Sequence, residues 1–110
     1  MPRRLIEQRQ SAIDEHPEMW QGFVAMRKAI QADGPMDMKT IEVLTMVSYA
    51  TVGAEGGTRT QAVAAHKAGA SPAELRQAIL LGLGVGMGFS AVYQALEWVR
   101  EALEEAGVTA

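Results

Sequence analysis

Ala68-Gly69-Ala70-Ser71-Pro72-Ala73-Glu74-Leu75 is the stretch on which the reading of the fold turns. Gly69 suits the left-handed residue that closes a helix. Ser71-Pro72-Ala73-Glu74 opens another, with a serine N-cap, a proline at the first helical position and a glutamate at the third to complete a capping box. One helix ends and the next begins within three residues, so this is the corner of a helical hairpin.

Working back toward the N-terminus, Gly53-Ala54-Glu55-Gly56-Gly57 reads as a breaker segment, and Thr58-Arg59-Thr60-Gln61 as a capping box opening the helix that ends at Gly69. Before it, Asp37 is a good N-cap for a helix running to about Val52. Ile41, Val43, Leu44, Met46, Val47, Tyr49 and Ala50 surround that helix axis, with only Glu42 and scattered Thr45, Ser48 and Thr51 interrupting, which predicts a buried element. Pro17 and Glu18 suit the first turn of an earlier helix with an apolar stripe of Trp20, Phe23, Val24, Met26 and Ile30, closed by Asp33-Gly34-Pro35. A first, amphipathic helix is expected from about Arg3 to Glu15.

Toward the C-terminus, the helix opened by Ser71 is expected to reach Val85 or Gly86. The last should run from about Ser90 to Ala106, with Val92, Leu96, Val99, Leu103 and Ala106 on one face and Gly107 as its stop. Tyr93 and Trp98 fall on opposite borders of that stripe and widen its apolar surface. No segment alternates with period two for long enough to make a strand. The expected class is all-α: five to six helices in antiparallel hairpins.

At 110 residues, 48% hydrophobic and 21% charged, the chain can build one packed core. Its formal net charge of -3 gives no general attraction to phosphate backbones or anionic lipids, so neither nucleic acid nor membrane is an expected partner. Residues 78–96 carry no charge, but Gly82, Gly84, Gly86 and Gly88 point to a Gly-rich corner between buried helices rather than a membrane span. Cysteine is absent, which excludes disulfides, thiolate metal sites and thiol nucleophiles. Two isolated histidines, His16 and His66, make no metal site. Nothing calls for a cofactor. The opening Met1-Pro2-Arg3-Arg4-Leu5-Ile6-Glu7-Gln8 has no apolar segment behind its arginines, so a cytoplasmic protein is expected.

From Met36-Asp37-Met38-Lys39-Thr40-Ile41-Glu42-Val43-Leu44, through the Ala68 to Leu75 corner, to the glycine-bearing turn before the last helix, the chain resembles the carboxymuconolactone decarboxylase and alkylhydroperoxidase D-like superfamily. On this pattern residues 36–110 form the family domain and residues 1–35 an N-terminal helical extension. The resemblance implies an alkylhydroperoxidase D-like fold that assembles with copies of itself, as trimers or hexamers, with small-molecule pockets near subunit contacts. The peroxidase branch carries Cys-x-x-Cys-x-x-x-His, and those positions fall here on Ala54, Gly57 and Gln61, with Thr51 where a glutamate often precedes them. A thiol peroxidase needs a nucleophilic sulfur and a resolving partner, and this chain has neither.

What remains near that segment is a set of polar residues. Glu55, Gln61 and His66 are the catalytic candidates, as proton carriers and a hydrogen-bond donor; Arg59, as carboxylate anchor, and Tyr49 are the substrate-binding candidates. At 100° per residue Arg59 and His66 share one side of their helix while Gln61 points away. The sequence supports a cofactor-independent acid/base enzyme on a small organic acid or lactone. The alternative is a non-catalytic oligomeric binding or scaffold protein that kept the fold and lost the site.

Overall fold

A computed structural model describes residues 1–109, and among them six helices make up the regular structure. They are α1 (Arg3–Glu15), α2 (Pro17–Gln31), α3 (Met38–Thr51), α4 (Glu55–Lys67), α5 (Pro72–Leu80) and α6 (Phe89–Glu105), and no strand occurs among the described residues. The chain divides into two units, Met1–Met36 and the part from Asp37 onward.

The first unit is the α1–α2 hairpin, with Pro17 at the first helical position of α2. Neither helix buries a residue completely. Trp20 and Phe23 pack ring to ring at 5.8 Å. Met19, Phe23, Met26 and Ile30 repeat at helical spacing along α2 and are all exposed.

In the second unit the caps read from sequence hold their helices. The Thr40 backbone N–H donates to the Asp37 carboxylate at 2.8 Å, and bonds from Thr40 hold that carboxyl below its ordinary pKa. At the start of α5 the Glu74 N–H donates to the Ser71 hydroxyl at 3.1 Å and the Ser71 N–H to the Glu74 carboxylate at 3.0 Å. Lys39 reaches the same carboxylate at 2.9 Å, tying the start of α3 to the start of α5. Both α4 and α6 end in a Schellman turn: Gly69 and Gly107 take positive φ, the Ala70 N–H donates to the Ala65 carbonyl, and the Val108 N–H to the Leu103 carbonyl. The core collects Met46 and Ala50 from α3, Ala62 and Ala65 from α4, Leu75 and Ile79 from α5, and Val92, Leu96, Val99 and Leu103 from α6.

Four expectations are corrected. α4 begins at Glu55, not Thr58, and runs through Gly56 and Gly57; the Thr58 hydroxyl donates back to the Ala54 carbonyl at 2.8 Å, inside the helix. The glycines do not break the helix because Gly57 is required there: an added Cβ would enter the ring of Tyr49. α3 is not buried all round, since only Met46 and Ala50 are fully covered and Leu44 is 49% exposed. The Thr45, Ser48 and Thr51 hydroxyls are satisfied internally, each donating to the carbonyl four residues back. α5 stops at Leu80, and residues 81–88 form a turn in which Gly84 takes φ +80 and Met87 folds into the core against Gly82. The apolar face of α6 stops at Leu103, because Ala106 is the C-cap and is exposed.

Candidate functional site

α3 and α4 form the most extensively packed pair of helices in the second unit, joined by only three residues and therefore antiparallel. The contact of Tyr49 with Gly57 sets their register. Counting from Gly57, Gln61 lies about 40° around α4, on the same side; counting from Tyr49, Glu42 lies about 20° around α3. Both side chains therefore belong to the faces the two helices turn toward each other, offset along the axis by roughly 4–5 Å.

Each of these residues buries an oxygen that has no hydrogen-bond partner: Oε2 of Glu42 and Oε1 of Gln61. An unmade bond of this kind costs about 1–3 kcal/mol, so a stable protein keeps it only where something else is gained. Glu42 was not among the expected site residues. Its signal was present in the sequence, as the one carboxylate in a helix whose other residues, Lys39 apart, are apolar or hydroxylic.

Glu55, Arg59 and His66 lie on the other side of α4, roughly 160–200° from Gly57. Arg59 is 5% exposed; its Nε donates to Glu55 at 2.9 Å and its Nη2 to Glu101 of α6 at 3.3 Å. Its Nη1 is buried without a partner. Two carboxylates flank one guanidinium, so this cluster carries a net negative charge and fastens α4 to α6. Glu101 gives no sequence signal, because 42 residues separate it from Arg59. His66 sits in the Schellman turn of α4, with Nδ1 2.8 Å from the Ala70 carbonyl. The expected set is thus divided: Gln61 of α4 and Tyr49 of α3 lie on the sides those two helices turn toward each other, and Glu55, Arg59 and His66 do not. Among the described residues no cluster of histidines and carboxylates could hold a metal ion.

A groove of about 560 Å³ lies elsewhere, between α5 and α6, and none of the five expected residues lines it.

With the hairpin order, the Ser71 corner and the α3–α4 register in place, the model of the carboxymuconolactone decarboxylase family matches residues 17–101. The chain belongs to that family. The match begins at Pro17, so it takes in α2 as well as the stretch from Met36 that carries the resemblance in sequence. Comparison with curated proteins and with solved structures found no match. In this family member Ala54 is the N-cap of α4, Gly57 receives the Tyr49 ring and position 61 is a glutamine, so the positions on which the resemblance put the peroxidase thiols and histidine hold no thiol and no imidazole.

Proposed function

We propose that the chain is a cofactor-independent acid/base enzyme of the carboxymuconolactone decarboxylase family, acting on a small organic acid or lactone between α3 and α4. The observation that carries this reading is the pair of buried, unpartnered oxygens of Glu42 and Gln61 on facing sides of those helices. Glu42 is the proton carrier in this reading, Gln61 presents an amide hydrogen to an enolate oxygen, and Tyr49 walls the site against Gly57. In a decarboxylation the bond to the departing carbon dioxide breaks, its electron pair moves onto the substrate's own carbonyl as an enolate, and a proton passes from the Glu42 carboxyl to carbon. Water restores that proton. Glu55 and Arg59 act at a distance from the chemistry by bracing α4 against α6.

Turnover of a panel of carboxylated lactones and β-keto acids tests this. Glu42→Gln should lower turnover by about 100-fold or more, the usual worth of a general acid or base, with binding largely kept. Turnover that survives Glu42→Gln unchanged would overturn the assignment. A second reading, an oligomeric binding protein without catalysis, draws support from Arg59: both neighbouring carboxylates already engage it, which leaves it poorly placed to anchor an acidic substrate. Binding of such acids with no turnover by the parent protein would favour that reading.

Self-association is part of the proposal. In the second unit Leu81, Val85 and Phe89 are all exposed, Val85 by 87% and Phe89 by 72%, as are Leu44 and Val52. Apolar surface on this scale marks an interface, and a trimer or hexamer fits the family. Sedimentation equilibrium should give a multiple of 11.8 kDa; a single-chain mass at micromolar concentration would contradict it.

A further inference from the structure

We infer that the groove between α5 and α6 is a second ligand site, separate from the α3–α4 site, and that it takes an unbranched amphipathic carboxylate such as a medium-chain fatty acid.

Its floor is apolar: Leu96 and Leu103 of α6, with Val108 folded back over the far end by the Schellman turn at Gly107. From Tyr93 to Glu104 along α6 is 11 residues, about 16 Å. The volume of about 560 Å³ is therefore spread along an elongated groove rather than gathered in a round hollow. The volume itself is within the range of small-molecule sites, about 300–1,000 Å³.

The polar groups are unevenly placed. Arg76 stands four residues before the end of α5 and Tyr93 four residues after the start of α6, so in the antiparallel hairpin they meet at one end of the groove. Arg59 and Arg100 are each held by a carboxylate, Arg100 by Glu104 at 3.0 Å. Arg76, also on the lining, has no such partner, and its guanidinium together with the Tyr93 hydroxyl makes a donor pair for a carboxylate. Beyond that end the apolar residues Leu96, Val99, Leu103 and Val108 alternate with the mutually paired Arg100 and Glu104, whose charges answer each other. Glu97, one turn further along α6, is unpaired too and opposes an anion at the rim. The groove therefore reads as a head site with a tail slot.

Calorimetric titration of the full chain with sodium decanoate, below its micellar concentration, tests the inference. Saturable binding of one decanoate per chain is expected, with affinity rising about fourfold per methylene from hexanoate to decanoate, the increment of a buried methylene, and then levelling as the slot fills. Arg76→Gln should weaken decanoate binding about tenfold, as loss of a charged hydrogen bond does. The same change should leave decanol binding, and turnover at the α3–α4 site, unaffected. Glu97→Gln should tighten decanoate binding, and Val108→Trp should abolish it by filling the slot while circular dichroism reports an unchanged helix content. Absence of saturable binding, decanoate affinity indifferent to Arg76→Gln, or affinity that does not respond to chain length would each overturn the inference.

Discussion

The two sides of α4 are built on opposite principles. On the side turned to α6, Arg59 is buried and engaged by Glu55 and Glu101 at 2.9 and 3.3 Å, so charge is answered by charge. On the side turned to α3, Gly57 has given up its side chain to the Tyr49 ring, and Gln61 and Glu42 each bury an oxygen that nothing in the chain answers. Residues two positions apart in sequence thus sit in different surroundings: one side answers its buried charge, and the other buries oxygens left unanswered. Proximity along a chain does not make a site; on a helix, residues 59 and 61 face nearly opposite ways.

The strongest way to break this comparison is on the bracing side. Arg59→Met keeps the length of the side chain but strands two carboxylates. Losing one partner of a fully buried pair costs about 3–5 kcal/mol, and because the Glu101 side chain is 36% exposed the expected loss is about 2–3 kcal/mol. Urea unfolding should show it as a lower midpoint at unchanged slope. A midpoint equal to that of the parent would mean that the cluster braces nothing.

A smaller effect sharpens the other side. Gly57→Ala places a Cβ in the Tyr49 ring and should cost about 1–3 kcal/mol by overpacking. Combining it with Tyr49→Ala should remove most of that penalty, because the clash then has no partner. A double variant whose losses simply add, in a double-mutant cycle followed by thermal unfolding, would show that the ring does not set the α3–α4 register.

The hairpin order was legible because it is written in local chemistry. Ser71-Pro72-Ala73-Glu74, Asp37, Gly69 and Gly107 each act on backbone groups within a few residues, and each does in the structure what its type predicts. The start of α4 was misread for a tertiary reason. Gly56 and Gly57 weaken a helix in isolation, and only the ring of Tyr49, eight residues earlier, explains why a glycine belongs inside this one. The candidate site was half legible. Gln61 and Tyr49 were singled out for the segment they occupy, and the helical angle between Arg59 and Gln61 already warned that they could not share a pocket. Glu42 was visible as a lone carboxylate among apolar neighbours, but its buried, unanswered oxygen appears only when α3 lies against α4. Glu101 had no local mark at all.

The measurement closest to the central claim is the urea unfolding of Gln61→Met, set beside Arg59→Met on the same helix. Methionine keeps the volume of glutamine and removes its unpaired oxygen. A side chain retained for function at a cost to the fold should, when replaced, leave stability unchanged or raise it by about 1 kcal/mol, the lower end of the cost of an unsatisfied buried group. If instead Gln61→Met loses as much stability as Arg59→Met, both sides of α4 serve the fold alike, and the division between brace and site is wrong.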